Sequence, residues 1–180
     1  MKILKKVLLV LASLVILILV IALFVNKEYA VQRQITINKP SEEVFSYIKN
    51  LKNQDNYNKW IMADPDMRKS FSGTDGNVGF VYAWDGDKSA GKGSQQIKQV
   101  KEGEQLDTEI TFIKPFEGNA QTQMITQPIT LTSTNVSWSM RSRSKYPMNI
   151  MNLFMDNLLG NDMEASLTTL KQVLENKQSL

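Results

Sequence analysis

The chain of 180 residues contains neither Cys nor His, which excludes disulfides, thiolate or imidazole metal sites and the usual neutral-pH general base. Its net charge of +3 vanishes on division: Lys2, Lys5 and Lys6 precede an apolar run, and the 18 Lys and Arg beyond it balance 18 Asp and Glu. A neutral domain lacks the basic face that displaces counterions from phosphates, so no nucleic-acid partner is expected, and the length suits one globular unit of about 150 residues.

Val7 to Val25 is an unbroken run of 19 residues with Ser13 as its single polar member. As a helix it reaches about 28 Å, close to the hydrocarbon thickness of a bilayer. A cleaved signal peptide is the rival reading, but its apolar core is shorter, about 7 to 15 residues, and ends in a small-x-small site; Ala22-Leu23-Phe24-Val25-Asn26 offers none. The segment therefore reads as an uncleaved anchor, residues 1–26, ahead of a domain at 27–180. The Lys cluster keeps the front end in the cytoplasm and sends the domain to the outer side of the membrane, periplasmic in a Gram-negative cell. Lys27, Arg33 and Lys39 blur that asymmetry.

Val31 to Ile37 alternates apolar and polar residues as a half-buried strand does. Pro40-Ser41-Glu42-Glu43 begins a helix, with Ser41 as cap and the acids in the first turn; Val44, Phe45, Ile48 and Leu51 recur at helical spacing. Asn50 to Trp60 suits a short second helix that turns Tyr57 and Trp60 inward. From Met67 to Arg143, short alternating runs separated by Gly, Asp, Asn and Pro predict an antiparallel meander. Its strands are expected at Arg68–Ser72, Gly79–Asp85, Gly91–Val100, Gln105–Ile113, Gly118–Thr126 and Thr134–Arg143.

Three apolar faces emerge: Phe80, Tyr82 and Trp84; Leu106, Thr108, Ile110 and Phe112; Val136, Trp138 and Met140. Something must cover them. From Pro147 to Glu175, Met148, Met151, Met155, Leu158, Met163, Leu167, Leu170 and Leu174 recur every three to five residues, which predicts one long amphipathic helix. Gly160 within it costs about 1 kcal/mol relative to Ala and marks a kink, a close backbone approach or a tolerated weakness.

This order of strand, two short helices, six-strand meander and long helix is the helix-grip order of an α+β fold. The sequence resembles the START-like superfamily known as SRPBCC, the polyketide cyclase/dehydrase and lipid transport group. The resemblance rests on Ile35-x-Ile37-x-x-Pro40-x-x-x-Val44-Phe45-x-Tyr47-Ile48, Trp60, Gly79-Phe80-x-Tyr82-x-Trp84-x-Gly86, Gly91-x-Gly93, Thr134-x-Val136-x-Trp138 and Leu159-Gly160-x-Asp162-x-Glu164-x-x-Leu167-x-x-Leu170-Lys171. It implies a curved sheet of about seven strands gripping the long helix, with a hydrophobic cavity between them. The fold alone does not choose among lipid carriers, aromatic cyclases and members without activity.

The leading expectation is a membrane-anchored binder of a hydrophobic or amphipathic small molecule, lipid-like or aromatic. Its pocket would be lined by Trp60, Tyr82, Trp84, Ile110, Phe112, Trp138, Met140, Met151 and Met155, since aromatics supply area with a polar handle and Met adapts to irregular shapes. The alternative for any one of these is that it simply fills the core. Arg141 and Arg143 could hold an anionic head group at the cavity mouth, or form a plain exposed strand end. A cyclase-like enzyme would need a buried acid or base, but Asp107 and Glu109 alternate with the apolar face and point to solvent. A tethered protein-interaction module without ligand is the third reading. No catalytic residue, cofactor or metal site is expected.

Gly86 to Ser94, GDKSAGKGS, nearly spells a phosphate-binding loop, but Gly93 stands where the magnesium-binding hydroxyl belongs. A strand pattern, Ser94 to Val100, follows instead of a helix. The stretch reads as a loop between two meander strands, and no nucleotide is expected.

Overall fold

The structure is a computed structural model and describes residues 2–86 and 91–176. Helix α1, Lys2–Phe24, leads into β1, Glu28–Ile37; α2, Ser41–Ile48, a 3₁₀ turn at Leu51–Asn56 and α3, Lys59–Met62, follow. Six strands come next: β2 Arg68–Ser72, β3 Val81–Asp85, β4 Lys92–Lys101, β5 Gln105–Lys114, β6 Gly118–Thr130 and β7 Ser133–Arg143. A second 3₁₀ segment, Met148–Leu153, precedes α4, Met155–Asn176.

All seven strands form one antiparallel sheet in the order β1-β7-β6-β5-β4-β3-β2, so the meander closes by returning β7 to β1. A register shift in β4 between Ile97 and Gln99 leaves an extra residue opposite β5, the kind of bulge that bends a strand. The inner face is covered by α4, which packs on β1, and by α2, which packs on β6 and β7. Met163, Ser166, Leu167, Leu170 and Leu174 form the buried stripe of α4, and with Ile37, Val44, Phe45, Ile48, Ile97 and Val136 they make the dry core. Helix α1 stands apart: Ile3–Phe24 is 22 residues long, with a mean hydropathy of 3.5 and nearly all of it unburied. It is long and apolar enough to cross a membrane.

Three local expectations need correction. Ser41 is the first residue of α2 rather than its cap; Pro40 caps it without a side-chain bond, and the Ser41 hydroxyl lies 3.5 Å from Gly103 O instead. The segment expected as one helix from Asn50 splits into two turns. Asp75 accepts from Leu51 N and Lys52 N and starts the first, while the Asn58 side chain accepts from Trp60 N and starts the second.

The third correction is larger. Pro147 to Glu175 is not one helix, because residues 148–153 wind at three per turn, so that Asn149 and Asn152 align on one side. Both amides bond to backbone at the end of α1: Asn149 Nδ2 to Ala22 O and Val25 O, Asn152 Nδ2 to Asn26 O and Lys27 O. Gly160, within α4, makes room for a side chain: a Cβ there would fall 1.9 Å from Arg33 Nη2, and that guanidinium bonds Asp156 through both its carboxylate and its carbonyl.

Candidate functional site: a cavity between sheet and helix

Period-two alternation sends Tyr82 and Trp84 of β3, Gln95 of β4, Ile110 and Phe112 of β5, and Trp138 and Met140 of β7 to the inner face. Together with Trp60, Ile61 and Met67 from below and Leu159 from α4, they bound a cavity of about 250 Å³. The chain's three tryptophans all line it. Trp60 and Trp138 meet edge to face with centroids 5.9 Å apart, a favoured aromatic geometry. The Trp60 indole N–H donates to Asp162 Oδ2 on α4 at 3.1 Å, and Lys59 pairs with the same carboxylate. One wall is thereby tied to the covering helix.

The lining is not uniformly apolar. Gln54, Asn58 and Gln95 are buried and face the cavity. Asn58 Nδ2 donates to Gln54 Oε1 at 3.0 Å, and Gln95 Nε2 donates to Thr108 Oγ1 at 2.8 Å, which in turn lies 2.6 Å from Thr122 Oγ1. Asn58 also accepts from Trp60 N through Oδ1, so the three amides are each held in place by a neighbour. Tyr82 donates its hydroxyl to Asp55 Oδ1 at 2.6 Å, and Asp55 also pairs with Lys69 at 2.9 Å. Burial, then the bond to Asp55, pushes the Tyr82 phenol far above its ordinary range. It is held neutral and is poorly suited to give up its proton.

Of the nine residues expected to line a pocket, Trp60, Tyr82, Trp84, Ile110, Phe112, Trp138 and Met140 lie on this cavity. Met151 and Met155 do not. They border a separate groove of about 980 Å³ that also takes in Tyr29, Phe112 and Phe116, since the 3₁₀ turn carries Met151 outward. Arg141 and Arg143 are also off the cavity: Met140 points in, so Arg141 points out, into a shallow polar depression with Asp107 and Glu109. Arg143 faces Glu28 at 3.9 Å across the first strand pair. The cationic member of the cavity lining is Lys114, at the end of β5. Asp107 and Glu109 lie on the outer face, where Glu109 pairs with Lys98. Among the described residues no cluster of acidic side chains is arranged to hold a metal ion.

The glycines near the phosphate-loop look-alike serve this site. Gly91 has φ +61°, and a Cβ there would fall 2.2 Å from Lys114 O; at Gly93 it would fall 2.6 Å from Thr111 O. They let β4 approach β5 closely. Asp87 to Ala90 lie outside the described residues.

A seven-stranded antiparallel sheet closed over a C-terminal helix, with a lined cavity between, is the START-like helix-grip fold. The chain belongs to the polyketide cyclase/dehydrase and lipid transport family, whose sequence pattern matches residues 29–175. Comparison with curated proteins finds no match. Among solved structures, norcoclaurine synthase from Thalictrum flavum, in complex with dopamine and hydroxybenzaldehyde, is similar at TM-score 0.66 and 8% identity, over 85% of this chain and 90% of that one. A protein from Chromobacterium violaceum is similar at 0.60 and 12%, over 82% and 98%. XoxI from Bacillus cereus is similar at 0.60 and 13%, over 84% and 99%. At these identities the likeness is one of fold.

Proposed function

We propose that the protein is a membrane-anchored carrier or receptor for a small amphipathic molecule held in the cavity. The supporting observation is the lining itself: three tryptophans and aliphatic side chains enclose about 250 Å³, with three buried amides on one side and Lys114 at the rim. Binding pockets of about 300–1,000 Å³ take drug-sized ligands. This one suits a smaller aromatic body or part of one acyl chain, its polar group met by Gln54, Asn58 or Gln95. An anionic end would sit at Lys114. The family's lipid transport members and the ligand-bound norcoclaurine synthase support the reading by analogy.

In this reading α1 spans the membrane, Lys2, Lys5 and Lys6 stay in the cytoplasm, and residues 27–180 form the domain on the other side. A catalytic role finds less support, because the carboxylates bonded to lining residues are already engaged: Asp55 by Tyr82 and Lys69, Asp162 by Trp60 and Lys59.

The test uses the full chain purified in a mild detergent. Extraction and mass spectrometry look for a retained amphiphile, and energy transfer from tryptophan to cis-parinaric acid reports occupation directly. Ile110→Trp, which fills the cavity, should abolish the transfer in the folded protein. Absence of both a retained compound and a transfer signal sensitive to Ile110→Trp would sink the proposal. A reporter fused after Leu180 reads the orientation, and activity on the cytoplasmic side would rule out the placement.

A further inference from the structure

Only residues 25–27 separate α1 from β1. At about 3.5 Å per residue the domain stays within roughly 10 Å of the end of the helix. Even that short link is not free. Its three carbonyls and Ala22 O of the last helical turn are taken by Asn149 and Asn152, the Ser144 amide takes Lys27 O as well, and Ser144 Oγ donates to Asn152 Oδ1 at 2.7 Å, fixing the amide's orientation. Helices end with unsatisfied carbonyls; here Asn149 satisfies Ala22 O and Val25 O, at the point where the helix gives way to the link. The end of the anchor is thereby hydrogen-bonded to the domain.

The depth of that joint follows from Tyr146, whose hydroxyl donates to Leu19 O. Leu19 lies five residues before Phe24, so the segment carrying Tyr146 reaches about 7 Å back along α1 from its end. Amphipathic segments lie buried about 5–10 Å into the head-group and acyl boundary, where Tyr is also enriched. The same segment bears exposed apolar side chains: Met148, Phe154 and, at 59% exposure, Leu153. Phe116, 72% exposed, lines the groove together with Met148. Leu153 shares a further depression with Ile21 and Phe24 of the anchor.

Groove and cavity adjoin. Tyr29 lines the cavity, the groove and the anchor-side depression, and Phe112 lines both cavity and groove. We propose that segment 146–154 is seated in the membrane interface, so that the groove opens onto the bilayer and the cavity exchanges its ligand with the lipid phase past Tyr29 and Phe112. The ligand class this selects is a membrane-dissolved amphiphile, in preference to a solute drawn from water. The inference rests on reading α1 as a membrane span and the cavity as a binding site. The most exposed apolar side chain of the domain, Leu131 at 93%, sits in the β6–β7 turn at the opposite end of the strands and serves as the reference position.

The natural absence of Cys makes single-site labelling direct. Full-length Leu153→Cys, Phe116→Cys and Leu131→Cys proteins, each carrying an environment-sensitive fluorophore, are reconstituted in phosphatidylcholine vesicles containing an acyl-chain nitroxide lipid. Quenching at 153 and 116 should exceed that at 131 at least twofold. Adding Asn149→Ala and Asn152→Ala should at least halve the quenching at 153. In a second arm, cis-parinaric acid preloaded into the protein's own vesicles should reach the tryptophans several-fold faster than the same probe delivered from separate vesicles, and the double Asn variant should lose that advantage while keeping the equilibrium signal. Quenching at 131 equal to that at 153, or equal transfer rates from both sources, overturns the proposal. Absent quenching at 153 with normal transfer overturns the docking alone, whereas quenching as expected with no transfer from any source overturns the ligand reading and the access route that depends on it.

Discussion

Trp84 lies across Gly93: the two are register partners on β3 and β4, and a Cβ at Gly93 would fall 2.7 Å from Trp84 Cζ2. The missing side chain is what lets the indole lie over the strand and form a cavity wall. On the opposite side the same Cβ would meet Thr111 O, a backbone atom that cannot rotate away. Gly93→Ala should therefore destabilise the fold by about 2 kcal/mol, as overpacked cores do, and blue- or red-shift the tryptophan emission as Trp84 is displaced. Gly118→Ala, where a Cβ would meet nothing within 4 Å, should change stability by less than about 0.5 kcal/mol. Urea unfolding of the two variants makes the comparison, and equal effects would contradict it.

Lys114 and Arg141 separate the rim of the cavity from the outer face of the sheet. For an anionic probe such as cis-parinaric acid, Lys114→Gln should weaken binding by about fivefold, the scale of one partly solvated charge contact, and Arg141→Gln should leave it unchanged. A neutral alcohol of the same chain should show no dependence on Lys114. Fluorescence titrations of the three proteins with both probes provide the measurement; loss of affinity through Arg141 would move the head group to the other face.

What was legible in the sequence follows from the physics of each element. A strand inverts its side chains at every residue, so once Trp138 is known to face inward, Val136 and Met140 must as well, and Arg141 must not. Parity also sends Gln95 inward between Gly93 and Ile97, although a polar residue on an apolar face draws the eye less than an aromatic one. Gln54 and Asn58 sit four apart in a polar stretch whose first turn is set by Asp75, a partner more than twenty residues away. Residues 148–153 misled for a related reason: three- and four-residue apolar spacing fits a 3₁₀ turn as well as an α-helix. The choice between them lies with Asn149 and Asn152, whose partners are the carbonyls of α1. Tyr29 carries no local sign of its place where cavity and groove meet.

Gly160 and Arg33 should show a coupling that changes sign with background. In the native chain Gly160→Ala gains about 1 kcal/mol of helix propensity but displaces the Arg33 guanidinium from Asp156, so the net change should be near zero or unfavourable. With Arg33→Ala already in place the nearest atoms, all of them in the guanidinium, are gone, and the same substitution should stabilise by about 1 kcal/mol. A double-mutant cycle by urea unfolding isolates the term, and a substitution that stabilises equally in both backgrounds would show that the guanidinium does not need the glycine.

The pH profile of stability should be flat where most proteins titrate. With no His in the chain, no side chain of ordinary pKa changes charge between about pH 5 and 8. The Arg33 guanidinium bonded to Asp156 and the Lys92 ammonium bonded to Asp85 hold those carboxyls below their usual range. A lowered carboxyl contributes stability above its unfolded pKa of about 3.9 and loses it as pH falls through the folded value, so the acid limb lies below about pH 4. Burial raises the Tyr57 and Tyr82 phenols, Tyr82 further through Asp55. A raised phenol contributes in full below its unfolded pKa of about 10 and loses that contribution as pH climbs toward the folded value, so the alkaline limb begins near pH 10. Melting temperatures in detergent from pH 3 to 11 should trace this plateau, with Tyr82→Phe removing part of the alkaline limb while leaving the acid limb in place. A transition centred between pH 6 and 7 would contradict the assignment of both limbs.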